Sequence, residues 1–126
     1  MALISLSRIV AHWASVQPDR VALDHEGQQS TWAELDASTN RLARAYEALG
    51  VKQDDFVTIA LPNGIEFIEA CVATWKAGAT PQPISARLPK IERDQIVQVR
   101  PYDATQTEPF CVQREVGRHR RHATSA

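Results

Sequence analysis

Histidine and cysteine side chains are common metal ligands, and a cysteine thiolate can act as a nucleophile. His119 and His122 flank two arginines, and two histidines without a third ligand make a poor metal site. Cys71 and Cys111 form no C-x-x-C pair, so neither a zinc site nor a dithiol redox motif is indicated. We therefore predict no metal site, and thiols that stay reduced in the cytoplasm.

The remaining histidines and the glycines give no catalytic or phosphate-binding pattern. His12 and His25 have no identifiable base or nucleophile as a partner, so we assign both to surface or turn positions. The chain contains neither G-x-x-x-x-G-K-[ST] nor G-x-G-x-x-G, and Gly64 and Gly78 are isolated. The sequence thus predicts no catalytic, cofactor-binding or metal-binding residue within the chain.

Length and composition indicate one ordinary globular domain. The chain has 126 residues, of which 44% are apolar and 23% charged, and its formal net charge is −1. This balance gives no reason to expect a nucleic-acid partner. No apolar run approaches the length of a membrane span, and Arg8 interrupts the short apolar start, so we predict neither a signal peptide nor a span.

The spacing of apolar residues predicts an α/β fold. In chain order the predicted elements are, roughly, helix 5–15, strand 21–24, strand 28–31, helix 32–49, strand 56–61, helix 65–77, strand 79–84 and helix 89–98. The first two strands form a small hairpin that turns at Gly27. The later strand, helix and strand form a β-α-β unit with parallel strands.

Residues at the ends of these elements are predicted to have structural roles. Thr31 and Glu34 form a capping box before the helix that ends at Gly50. Asn63 is predicted to cap the helix that follows Pro62. Lys76 lies in the last turn of that helix, where a cation suits the dipole. Two prolines, at positions 81 and 83, predict that the next strand lies at an edge or is irregular.

The chain contains an ordered set of short motifs between roughly residues 5 and 98. They are Pro18-Asp19-x-Val21-Ala22-Leu23, Thr31-Trp32-Ala33-Glu34-Leu35, Asn40-Arg41-Leu42-Ala43, Gly50-Val51-Lys52-x-x-Asp55-x-Val57-x-Ile59-x-Leu61-Pro62-Asn63, Glu66-Phe67, Lys76-Ala77-Gly78-Ala79 and Pro83-x-Ser85-x-Arg87-Leu88-Pro89. This set resembles the early part of the AMP-forming synthetases, which include acyl-CoA synthetases, luciferases and the adenylation domains of peptide synthetases.

The resemblance implies a two-step reaction in the complete enzyme. ATP and a carboxylic acid form an acyl-adenylate and pyrophosphate, and the thiol of coenzyme A then displaces AMP. ATP, Mg²⁺ and CoA are the implied cofactors and partners of that enzyme, but the T-G-x-P-K phosphate loop of the family is absent here. We therefore expect this chain to be inactive by itself. Arg87 is the nearest functional candidate, and we favour a surface position or a structural salt bridge over contact with substrate.

The resemblance ends near Val99, which divides the chain into a synthetase segment, 1–98, and a divergent tail, 99–126. The tail is polar, contains two prolines and ends in a basic stretch, and we expect the tail to be disordered. The simplest hypothesis is a reading-frame change or a degraded gene. Two alternatives stay open: a stand-alone, non-catalytic binding or regulatory protein, or one half of a split ligase. A sheet edge left unpaired would favour self-association.

Overall fold

A computed structural model describes residues 3–99 and 112–114. Its elements are a 3₁₀ turn (Leu6–Arg8), α1 (Ile9–Val16), β1 (Val21–His25), β2 (Gln28–Thr31), α2 (Trp32–Ala48), β3 (Phe56–Ile59), α3 (Ile65–Lys76), β4 (Thr80–Pro83), α4 (Lys90–Val99) and β5 (Val112–Arg114). The predicted α/β class and the order of its elements up to α4 are confirmed.

The first half of the fold is an antiparallel hairpin that runs straight into a long helix. β1 and β2 pair through a turn in which Gly27 has a φ of 82° and Glu26 a φ of 51°. Thr31 is the last residue of β2 and the N-cap of α2, where its Oγ1 accepts a hydrogen bond from the Glu34 N–H at 3.2 Å. The predicted cap is therefore present, and Gly50, with a φ of 91°, follows the end of α2 as predicted.

The second half of the fold is the predicted β-α-β unit. β3 and β4 pair in parallel, with Phe56 opposite Thr80 and Ile59 opposite Pro83. Within the described residues the strand order is β4-β3-β5, so β4 lies at an edge of the sheet, as its two prolines predict. Gly78 has a φ of 78° and ends α3.

The hydrophobic core lies between α2, α3 and the sheet. Val57 and Ile59 of β3 are fully buried, as are Ala70 and Ala73 of α3, and Tyr46 of α2 closes the cluster. The alanines let α3 approach the sheet closely, since a larger side chain at either position would separate the two layers. A smaller cluster, of Val10, Leu35 and Val72, joins α1 to both long helices.

Two predicted element boundaries are corrected by the structure. β3 ends at Ile59 and not at Leu61, because the Ile84 N–H donates to the Ile59 carbonyl at 3.0 Å and the chain then leaves the sheet. The N-cap of α3 is Gly64 and not Asn63, and no side chain caps this helix. The helix begins at Ile65, one residue too far along the chain for Asn63 to be its N-cap.

Part of the predicted tail forms a strand. Residues 112–114 pair antiparallel with β3, with Gln113 opposite Thr58. Residues 100–111 and 115–126 lie outside the described part of the chain, and with them Cys111, His119 and His122. The strand at 112–114 corrects the expected disorder at those three residues. The proposed division of the chain near residue 98, and the disorder of the rest of the tail, stay predictions.

The Tyr46 hydroxyl is a buried polar group with no hydrogen-bond partner in the described structure. Burial, and the Cys71 thiolate form beside it, raise the pKa of this phenol well above its usual value. We expect Tyr46→Phe to leave the free energy of unfolding unchanged or to raise it by about 1 kcal/mol, because the variant removes an unsatisfied group. Urea titration at neutral pH measures this.

The same substitution should remove a loss of stability at high pH. The raised pKa keeps Tyr46 protonated in the folded chain, whereas the unfolded phenol ionises near pH 10, so the wild-type chain loses stability as pH rises above roughly that value. The difference in unfolding free energy between Tyr46→Phe and wild type should therefore grow between about pH 9 and pH 11. A constant difference would contradict this account.

Candidate functional site

The carboxyl ends of β3 and β4 are the part of the described structure best placed for ligand binding. Because the two strands are parallel, both end at the same edge of the sheet, where open α/β sheets bind their ligands. The hydrogen bond from the Ile84 N–H to the Ile59 carbonyl holds the two chain exits side by side. Residues 60–64 and 84–88 therefore define a candidate site, which we call the carboxyl edge.

Arg87 is the cationic side chain of the carboxyl edge. The side chain is exposed. The backbone N–H of Arg87 donates a hydrogen bond to the Ser85 Oγ at 3.3 Å, which shapes the turn after β4. Within residues 3–99 and 112–114 its guanidinium forms no ion pair. The structure thus places Arg87 at the surface, as favoured from the sequence, and leaves its charge available to an anion. A role in binding stays a prediction.

On the β3 side of the carboxyl edge, Pro62 and Asn63 are exposed and Gly64 is covered by the hairpin. A Cβ at Gly64 would lie 3.4 Å from the Glu66 Oε2 and 3.8 Å from the His25 Nδ1. His25 is half-buried at the end of β1, so its imidazole packs over the start of α3. This contact is structural, and His25 is the half-buried last residue of β1, next to the turn in which it was predicted to lie.

Two further residues considered from the sequence, His12 and Cys71, are not part of the carboxyl edge. His12 is exposed on α1, where its ring meets the edge of Trp13 at a centroid distance of 5.2 Å. Cys71 is a buried free thiol on α3, and burial raises its pKa. A buried thiol with a raised pKa is a weak nucleophile at neutral pH.

Lys76 has a role that the sequence did not predict. Its Nζ donates to the Asp36 Oδ1 and to the Asn40 Oδ1, both at 2.7 Å, and to the Asp36 carbonyl at 3.3 Å. The Lys76 side chain is only 9% exposed, so this ammonium ties α3 to α2 from a nearly buried position. We call this group the Lys76 clamp. Asp36 and Asn40 are one helical turn apart, and that spacing was the sequence signal that they could accept hydrogen bonds from the same cation.

Two surface cavities flank α2, but neither collects catalytic groups. One, of about 450 Å³, lies beside the Lys76 clamp, whose three acceptors already occupy the ammonium. The other, of about 580 Å³, lies between the hairpin and α3 and includes Glu34, Arg41 and Glu69. Ser38 Oγ donates to Glu69 Oε1 there at 3.1 Å, an arrangement that stabilises the helix pair.

The described residues offer no fit for Mg²⁺. Nowhere in residues 3–99 and 112–114 do three carboxylate, imidazole or thiol groups come together. No helix in this part of the chain is long and apolar enough to cross a bilayer. At the carboxyl edge the described side chains offer one exposed guanidinium, with hydroxyl and amide groups beside it on the two chain exits.

Comparison with known proteins identifies the family. The sequence profile described as AMP-binding enzyme matches residues 10–101, most of the chain. The chain belongs to the AMP-binding enzyme family. Within this family the matched segment contains both halves of the fold, from α1 through α4.

Two curated relatives are similar to the chain at nearly the same sequence identity. A dimodular nonribosomal peptide synthase of Bacillus subtilis is 38% identical over 76 residues, which are 60% of this chain and 3% of the synthase. The 3-oxocholest-4-en-26-oate–CoA ligase of Rhodococcus rhodochrous is 37% identical over 76 residues, which are 60% of this chain and 14% of the ligase. The chain thus spans a small fraction of the length of the relatives it matches.

A solved structure places the fold within such an enzyme. The N-terminal domain of FACL13 from Mycobacterium tuberculosis, crystallised with an inhibitor, superposes with a TM-score of 0.70 at 29% identity. The match covers 75% of this chain and 24% of that domain. The described chain therefore has the fold of an N-terminal part of an adenylate-forming AMP-binding enzyme, as the resemblance implied.

Proposed function

We propose that the chain is the N-terminal part of an AMP-forming acyl-CoA synthetase. The family match over residues 10–101 carries this proposal. In the complete enzyme a carboxylate oxygen attacks the α-phosphorus of ATP, and pyrophosphate leaves. The thiol of CoA then attacks the acyl carbon, and AMP leaves. Conversion of a carboxylate into an acyl-adenylate supplies the leaving group that thioester formation needs.

The contribution of this chain to that reaction is the scaffold beneath the carboxyl edge. The buried strand β3 and the Lys76 clamp fix the relative positions of α2, α3 and the sheet. Arg87 and Ser85 are then presented at the end of β4, where an anionic group of a ligand would be attracted to the guanidinium. The proposal assigns Mg²⁺ to none of the described residues.

The choice of a CoA ligase over a peptide synthetase depends on a short motif. Sequence identity does not separate the two, since the relatives of each kind reach 37% and 38%. The stretch Pro83-x-Ser85-x-Arg87-Leu88-Pro89 favours the CoA ligases. The second candidate function, an adenylation domain of a peptide synthetase, is favoured by the similarity to the Bacillus synthase.

The chain alone should not activate acids, because it contains no phosphate-binding loop motif. We expect no ATP–pyrophosphate exchange above background with fatty, aromatic or amino acids. A reaction without any acid is the control. Exchange that depends on one of the acids would show that the chain contains a complete activating site, contrary to the proposal.

A segment exchange separates the two candidate functions. Residues 10–99 of this chain would replace the matched segment of the Rhodococcus ligase, and likewise that of the Bacillus synthase. We expect the ligase chimera to keep its CoA thioester formation within about tenfold of the parent, equivalent to about 1.4 kcal/mol of altered packing. The synthase chimera should lose more of its exchange activity. If the synthase chimera retained more of its parent's activity than the ligase chimera, the peptide synthetase would replace the CoA ligase as the proposed function.

A further inference from the structure

The two edges of the described three-stranded sheet differ in how they resist pairing with another chain. On one side, β4 carries Pro81 and Pro83, which lack an N–H and so weaken any further ladder. On the other side the edge strand is β5, and the strand that it covers is β3, Phe-Val-Thr-Ile, which is uncharged, mostly β-branched and without proline. Such a strand, if exposed at an edge, is prone to pair with another strand.

The second edge of β3 is occupied by β5, a strand of three residues in the antiparallel direction. A strand that continued the β-α-β pattern after α4 would be parallel to β3. The antiparallel direction of β5 therefore shows that it does not extend this pattern. It is a short segment from beyond α4 that covers an edge.

The hydrogen bonds between β3 and β4 show which backbone amide of β3 faces β5. The Thr80 N–H donates to the Asp55 carbonyl at 2.8 Å, and the Ile84 N–H donates to the Ile59 carbonyl at 3.0 Å. Since backbone groups alternate sides along a strand, residues 55, 57 and 59 face β4 and the backbone of Thr58 faces β5. Thr58 and Gln113, which are directly opposite, are then the pair that exchanges hydrogen bonds.

We propose that the Thr58 edge of β3 is a strand-docking surface, that Val112–Arg114 cover it within the same chain, and that β3 of a second copy occupies it once they are withdrawn. Two copies of β3 can pair antiparallel about a two-fold axis, which joins their sheets without like-charge repulsion. With only three residues, β5 makes few hydrogen bonds and can be displaced. This inference is independent of the proposed function.

The test is Gln113→Pro in the full chain, with Gln113→Ala as the matched control. Proline removes the backbone N–H that faces Thr58, whereas alanine retains it. Sedimentation velocity over a range of concentrations should show wild type and Gln113→Ala as monomers and Gln113→Pro as a dimer. In the diluted variant the Thr58 amide should exchange with deuterium at least about tenfold faster than in wild type, and the Val57 and Ile59 amides should stay protected.

Three results would overturn the proposal. The first is a monomeric Gln113→Pro variant in which Thr58 is as protected as in wild type. The second is a dimer whose Thr58 amide gains no protection on concentration, because the copies would then meet through another surface. The third is loss of protection throughout α2, because β5 would then be an integral part of the fold and not a displaceable cover.

Val112→Pro, whose missing N–H faces away from β3, controls for the rigidity of proline.

Discussion

Lys76→Met should lower the free energy of unfolding by about 2–3 kcal/mol. The methionine side chain retains an apolar stem and removes the ammonium, so the variant isolates the Lys76 clamp. Loss of one partner from a buried ion pair commonly costs about 3–5 kcal/mol, because the other charge stays buried and unpaired. Asp36 is 24% exposed and recovers some hydration, which places the expected cost below that range. Urea-induced unfolding followed by circular dichroism measures it.

The matched control is Lys90→Met. Lys90 pairs with Asp94 one helical turn away, also at 2.7 Å, but their side chains are 72% and 37% exposed. Water screens such a pair, so its loss should change the unfolding free energy by no more than about 0.5 kcal/mol. Equal effects of the two substitutions would show that burial of the Lys76 clamp is unimportant and would refute its role.

Ile59→Ala should have the larger effect, about 3–4 kcal/mol. Ile59 is fully buried in β3, between the helices and the neighbouring strands, and truncation removes three carbon atoms and leaves a cavity. Native domains of this size are stable by roughly 5–15 kcal/mol, so the variant should lose a large part of its stability. Thermal and urea unfolding of the purified variant test this expectation.

Ile91→Ala is the control for side-chain size and helix content. Ile91 is 74% exposed on α4, so its truncation removes little buried surface, and alanine is a good helix former. We expect a change within about 0.5 kcal/mol in either direction. A fully stable Ile59→Ala variant would mean that β3 is not at the centre of the core.

The elements of the fold were predictable because their signals are local. Thr31 and Gly50 mark the two ends of α2, Thr31 through its side-chain cap and Gly50 through its positive φ, and each has the predicted role. The two prolines of β4 predicted an edge strand for the same reason. Asn63 was assigned wrongly as a cap, because the sequence there could not show that the helix starts only after an extended Gly64.

The contacts that join distant segments could not be predicted from local patterns. The partners of Lys76 are on another helix, and only the packing of α2 against α3 brings them within 2.7 Å. The pairing of Gln113 with Thr58 likewise depends on a long-range register. For the site, the sequence identified Arg87 as a candidate, and the structure adds its exposure and its position at the end of β4.

Thr31 limits where this lineage can change length. It is the last residue of β2 and the N-cap of α2 at once, so no linker separates strand from helix. One extra residue there would either move the cap away from Glu34 or shift the register of β2 and turn its side chains to the opposite face. Insertions and deletions between β2 and α2 should therefore be rare during evolution, and the spacing across Thr31 should stay fixed.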